Sequence, residues 1–263
     1  MSRARLLALQ ILVAVLGLAF WHVLTTTPLA GDPKKMQFFF STPWDVLGRC
    51  VKDLAGGEIW RHLAITLTEA LLAFVIGAGA GVVIGFWFAR QALLAAVFDP
   101  YVKAINALPR VVLAPIFALW FGLGIWSKVA LGVTLVFFIV FFNVYQGVKE
   151  VSPVVLANAR MLGASKRQLL RYLYLPSATS WVFSSLHTSV GMAFVGAVVG
   201  EYLGSAKGVG YLILQAEGVF DINTVIAGIL VLTMFALLLD YAVTRIESRL
   251  LVWRPTTAET ERL

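Results

Sequence analysis

Four basic residues, Arg160, Lys166, Arg167 and Arg171, punctuate the segment VSPVVLANARMLGASKRQLLRYLYLP at residues 151–176. Between them, Val155, Leu156, Ala159 and Leu162, and later Leu169, Leu170 and Leu173, recur at helical spacing. Pro153 fits the first turn of a helix, where its missing N–H costs nothing. Gly163, followed by Ala164 and Ser165, permits a sharp bend, and Ser165 can cap a second helix that starts at Lys166. Leu175 and Pro176 then close the element. The chemistry this pattern offers is docking rather than catalysis: a helix, a glycine bend and a helix that present a short turn for a partner to grip. A purely lipid-facing amphipathic helix would account for the basic residues, but not for the placement of Gly163 and Pro176.

Other polar residues stand inside apolar runs, where an ionisable group costs about 2.5–3.5 kcal/mol and needs a pathway, a pair or a route to the interface. Arg110 follows a break at Pro109 and is suited to meet an anion such as a sulfonate bidentately. Glu201 would repel an anion, so a gate or an interhelical pair suits it better. Ser184, Ser185, Thr188 and Ser189, with His187 among them, give one run a polar surface; its hydroxyls either bond to carbonyls one turn back or line a wet path. His187 beside Ser184 and Ser185 is the one local arrangement resembling a nucleophile and base. It has no orienting acid in view, and neither H-E-x-x-H nor G-x-S-x-G occurs. Cys50 is single, so it can form no intrachain disulfide and reads as an incidental thiol.

The elements that position these residues are set by composition. Hydrophobic residues make up 60% of the 263 and charged residues 13%, about half the charge of a soluble domain. The apolar content falls in runs long enough to cross a hydrocarbon core of about 30 Å as helices. An all-α membrane protein follows, with six spans at about 6–24, 63–88, 97–121, 126–147, 180–204 and 223–246. The third contains Pro109 and Pro115, and a broken helix is tolerated only where protein or a wet cavity meets the freed carbonyls. The first span, after Arg3 and Arg5, is too long for a signal peptide and reads as an uncleaved anchor. With both ends inside, thirteen Lys and Arg fall on the cytoplasmic side and seven, Lys128 among them, outside. The segment 25–62, with its stretch MQFFFSTPWDVL, reads as an interfacial or extracytoplasmic cap. The net charge of +7 is accounted for by this bias and by anionic lipid, without nucleic acid. Gly77, Gly81 and Gly85, and likewise Gly196, Gly200 and Gly204, form rows four residues apart along which another backbone can approach closely. Ordinary helix packing explains such rows; the sharper alternative places the second row where two subunits meet.

ANARMLGASKRQLLRYLYLP resembles the loop shared by permease subunits of bacterial ABC importers, whose pattern is Glu-Ala-Ala, three residues, Gly, then Leu-Pro. HLAITLTEALLAFVIGAGAGVVIG, ALPRVVLAPIFALWFGLGIWSK and VGAVVGEYLGSAKGVGYLI are similar to the branch that serves nitrate, sulfonates and taurine, and the likeness covers about residues 59–248. Ala159 matches the second Ala, Gly163 the glycine, and Leu175 and Pro176 the closing pair. Ala157 and Asn158 stand in place of Glu and Ala, leaving Arg160 or Lys166 to supply the electrostatic part of docking. The resemblance implies the type I importer fold in the bacterial inner membrane, with an anchor and extracytoplasmic segment at 1–58, the permease domain at 59–248 and a cytoplasmic tail at 249–263. It implies a pathway formed with a second permease copy, two cytoplasmic ATPase subunits gripping the loops, and an extracytoplasmic binding protein delivering the ligand. The chain has no G-x-x-x-x-G-K-[ST] sequence, so ATP and Mg would be held by the ATPase partners. A stand-alone secondary transporter or channel is the alternative. It would need no 26-residue docking loop, and no inverted repeat is visible.

Overall fold

The computed structural model describes residues 3–250, all helices and connecting turns. Of the expected cytoplasmic tail, residues 251–263 lie outside the described part, together with Arg254 and Arg262 from the charge count. The first helix, α1 (Arg3–Thr26), is apolar all round, and none of its membrane-compatible window is buried against the rest of the chain. After it come two short helices, α2 (Pro33–Phe40) and α3 (Pro43–Gly56). Each has a proline in its first turn and a side-chain cap: Asp32 accepts from the Lys34 N–H, and Thr42 from the Asp45 N–H. The MQFFF stretch forms α2 and turns Phe38, Phe39 and Phe40 outward.

Three long helices make the core: α4 (Glu58–Arg90), α7 (Ile125–Lys149) and α10 (Leu175–Gly204). Between the first two run α5 (Ala92–Asn106) and α6 (Ala114–Phe121), and between the last two lie α8 (Pro153–Met161) and α9 (Lys166–Leu169). The chain ends with α11 (Val209–Gly218) and α12 (Ile222–Leu250).

The helix α7 is sandwiched between α4 and α10, and both glycine rows explain why. A Cβ at Gly77 would sit 2.8 Å from the Val136 Cβ, and one at Gly81 2.8 Å from the Val140 Cβ. On the other side, a Cβ at Gly196 would lie 2.4 Å from the Gly132 Cα, and one at Gly200 2.7 Å from the Lys128 Cγ. The first atoms of the Val136, Val140 and Lys128 side chains and the backbone of Gly132 and Phe141 fill these grooves, the close approach that small residues allow between helices in a membrane. The second row is therefore not a seam between subunits: this chain's own α7 occupies it.

Among the described residues, five helices are long and apolar enough to cross a membrane. The expected third span, 97–121, is instead two segments, Ala92–Asn106 and Arg110–Phe121, bent by 82°, and makes a sixth crossing only if taken as one broken span. Pro109, which carries no N–H, stands at the break, and Pro115 starts α6. The fifth expected span differs in the opposite sense. Leu175 and Pro176 end nothing: helix runs without interruption over Lys166–Gly204. A single π turn, Leu170–Tyr174, precedes the proline, and the Leu175 N–H bonds to the Leu170 carbonyl five residues back. That extra residue in the turn shifts the register ahead of Pro176, so the missing N–H falls in the first turn of α10.

Candidate functional site

Two polar regions lie at opposite ends of α10. The first is the loop at residues 151–176. Pro153 opens α8, and Gly163 takes the left-handed conformation at φ 80°, where a Cβ would be strained. Ser165 caps α9 through a reciprocal box: its Oγ accepts the Gln168 N–H, and the Gln168 Oε1 accepts the Ser165 N–H at 2.7 Å. Between these fixed points the turn projects Met161 and Leu162, 85% and 88% exposed. Ala157, Asn158, Arg160 and Lys166 are exposed, while Ala159 and Ala164 are half-buried. Leu175 is exposed and Pro176 half-buried, both inside continuous helix rather than at its end.

The second region sits where α4, α7, α10 and α11 meet. Glu201, fully buried, accepts hydrogen bonds from the Thr66 hydroxyl at 2.6 Å and from the Gly210 N–H at 2.7 Å, and so fastens the first turn of α11. A carboxylate there also meets the positive end of that helix. Thr66 accepts the Val209 N–H in turn, and the His62 Nδ1 lies 3.1 Å from the Gly208 nitrogen. Lys128, 1% exposed, spends its ammonium on three carbonyls, those of Leu123, Gly124 and Gly204. It thereby ties the turn ahead of α7 to the end of α10. Glu69, equally buried, lies beside Glu201, and its Oε2 has no hydrogen-bond partner among the described residues. The glycines at 208 and 210 are required by this clasp: a Cβ at Gly208 would fall 2.1 Å from the Glu201 Cδ.

The structure therefore places the pathway candidates in different settings. Glu201 is locked into the clasp. Ser185 is buried with its Oγ bonded to the Val182 carbonyl at 2.7 Å, and Ser189 is buried with an unpartnered Oγ. Neither faces open space within the chain, whereas Thr188 is exposed. Arg110 lies in the bend between α5 and α6. Its guanidinium donates to the Asn106 carbonyl and side chain and stands 4.8 Å from the Phe138 ring centre, and its buried Nε is left without a partner. No described carboxylate pairs with it. His187 does have acids, Asp240 at 2.6 Å and Glu247 at 3.0 Å from α12, so both ring nitrogens are engaged and neither is left for a serine.

Sequence reasoning passed over Thr66, Glu69 and His62, and placed Lys128 on the outer side as an ordinary basic residue. A signal was present: Glu69 and Lys128 are ionisable residues inside apolar spans, which marks a partner or a function.

Comparison with known proteins matches these features to one family. The model of the binding-protein-dependent transport system inner membrane component matches residues 81–252. An aliphatic sulfonates transport permease of Bacillus subtilis is 33% identical over 81% of this chain and 77% of its own length. A formylaminopyrimidine transport permease of Halalkalibacterium halodurans is 32% identical over 90% and 92%. The taurine transport system permease of Escherichia coli is 28% identical over 92% and 87%. Among solved structures, the MetNI methionine ABC transporter in an inward-facing form aligns with a TM-score of 0.55 at 20% identity, over 78% of this chain and 95% of that one, a likeness of fold. The helical bundle, its apolar spans and these matches place the chain in the family of binding-protein-dependent transport system inner membrane components: it is a multi-pass permease subunit of an ABC importer, with the type I fold.

Proposed function

We propose that the chain forms half of an ATP-driven import pathway for a small anion of sulfonate, taurine or nitrate type, and that its 151–176 loop seats a cytoplasmic ATPase subunit. A second copy completes the pathway, a second ATPase grips its loop, and an extracytoplasmic binding protein delivers the cargo. Both termini lie in the cytoplasm. ATP and magnesium belong to the ATPases; this chain converts their closure into a change of access.

The observation that carries this reading is mechanical. Met161 and Leu162 stand side by side and almost fully exposed on a turn outside the described spans, an apolar patch of the kind that a partner covers. That turn is joined through the Ser165 cap to 39 residues of continuous helix, about 58 Å at 1.5 Å per residue. A push on the turn is carried along this helix toward the far end of α10.

An anionic cargo is favoured by Arg110. Among the described residues no carboxylate neutralises it, and its buried Nε has no partner, at the break of a bent helix pair. The relatives named above carry sulfonate, taurine and formylaminopyrimidine in their names, and uptake by the assembled transporter separates these classes. Taurine or an alkanesulfonate is expected to be imported, and Arg110→Gln to lower that uptake more than resting ATP turnover. Import confined to the uncharged pyrimidine would overturn the anion assignment. For docking, Gly163→Pro puts a residue fixed near φ −65° where the chain needs +80°. The variant is expected to insert normally and to lose co-purification with the ATPase; undiminished coupling would refute the docking assignment.

A further inference from the structure

Behind the docking turn lies a cavity of about 490 Å³. Four cationic side chains line it, each from a different element: Arg90 at the end of α4, Lys149 at the end of α7, Arg160 in α8 and Lys166 at the start of α9. None forms an ion pair with a described carboxylate. The nearest acid in sequence, Glu150, does not line the cavity and is engaged by the Trp181 indole N–H. Two of the cations are oriented by aromatic rings instead: the Arg90 guanidinium stands 5.7 Å from the Tyr174 ring centre, and the Lys149 ammonium 4.3 Å from that of Tyr145. Rings hold a cation in place but leave its charge in full.

Like charges gathered around a hollow repel; water weakens that repulsion for these exposed side chains, and an anion between them relieves it further. Two features say which anion. Arg90 and Lys149 end apolar spans, which puts the cavity at the level of the lipid headgroups. Its remaining wall includes Leu156 and Leu169, apolar surface that a free inorganic ion would not use. We propose that the cavity binds the phosphate of an anionic phospholipid, of the phosphatidylglycerol or cardiolipin class. The phosphate sits among the four cations, and the glycerol and upper chains lie along the leucines. Since α8 and α9 each give one cation and the membrane helices the other two, the lipid ties the docking loop to the spans and sets its standing angle. The inference rests on the membrane setting of the bundle and on the loop facing the cytoplasmic leaflet, not on what the transporter carries.

The test is native mass spectrometry of the full-length chain released from bilayer discs that contain phosphatidylglycerol or phosphatidylcholine, comparing wild type with the Arg90→Gln/Lys149→Gln double variant. Wild type is expected to retain phosphatidylglycerol and not phosphatidylcholine, and the double variant to retain about twenty-fivefold less, at roughly fivefold per cation. Equal retention of the two lipids, or no loss in the variant, would overturn the site. Displacement of phosphatidylglycerol by millimolar inorganic phosphate would overturn the lipid as its occupant in favour of a free anion. If the double variant fails to insert, wild type alone decides. Phosphatidylglycerol retention must then fall as KCl rises while any phosphatidylcholine retention does not, and salt-independent retention would sink the proposal.

Discussion

The two ends of α10 solve opposite problems. At one end Glu201, Thr66, Lys128 and the Gly208–Gly210 turn are buried, and their hydrogen bonds close on one another within the chain. At the other, Met161 and Leu162 face outward with apolar surface uncovered, while Arg160 and Lys166, exposed and without a described carboxylate partner, line the cavity behind them. The first end meets most of its polar demand inside this chain, with only the Glu69 Oε2 unpartnered among the residues of the clasp; the second leaves its apolar and charged surface bare. If the bare end is the one a partner grips, α10 is a lever and the clasp is its fulcrum. A buried polar clasp suits that role because its bonds hold only one geometry.

If the clasp is the fulcrum, breaking it should unfold the chain. Glu201→Ala orphans the buried Gly210 N–H and Thr66 hydroxyl and leaves a cavity, so a loss of about 3–5 kcal/mol is expected by thermal unfolding in detergent. A loss under 1 kcal/mol would show the clasp to be ornamental. Next in size, Gly196→Ala drives a methyl toward the Gly132 backbone, which cannot swing aside as a side chain would. Separating α7 from α10 in this way is expected to cost about 1–3 kcal/mol. If it cost nothing, the tight sandwich would not be what holds the clasp's helices in register.

The contrast also explains what could be read from sequence. The docking turn was legible down to its caps because its determinants are local: a proline at a first turn, a glycine where φ is positive, and a serine three residues before a glutamine. The clasp is built from side chains and backbone groups between residues 62 and 210, carried on four elements, and nothing in the spacing says that Glu69 lies beside Glu201 or that Lys128 reaches the Gly204 carbonyl. The glycine rows announced close packing without naming the helix that packs. Pro176 misled for a related reason. A Leu-Pro pair marks a helix end when the preceding turn is α-helical, and the π turn at Leu170–Tyr174 removes that condition.

A smaller effect probes the region beside the fulcrum. Asp221 stands before α12, its side chain accepting the Thr224 N–H at 3.2 Å and the Thr224 hydroxyl at 2.5 Å. Burial alone would raise its carboxyl, but these bonds, the Arg49 guanidinium and a backbone N–H together hold it below the usual aspartate value. A carboxyl depressed on folding contributes stability that is present above its unfolded value, near 3.9, and is lost as pH falls through the folded one. Asp221→Ala should therefore cost about 1 kcal/mol at neutral pH, as for a lost helix cap, and flatten the acid limb of the stability curve. An unchanged acid limb would remove Asp221 from the account.

The least effect on stability should come from the change with the greatest effect on assembly. Met161 and Leu162 touch almost nothing in the chain, so replacing both with serine removes little packing and should move thermal unfolding by less than about 0.5 kcal/mol. The same substitution strips the apolar surface that a partner would cover, and co-purification with the ATPase should be lost. The pair of measurements separates the two ends in a way neither does alone. If the serine variant unfolded, the turn would be part of this chain's own core and the contrast with the clasp would vanish. If it stayed folded and still held the ATPase, the grip would lie with Arg160 and Lys166, and the exposed pair would have to be covered by lipid.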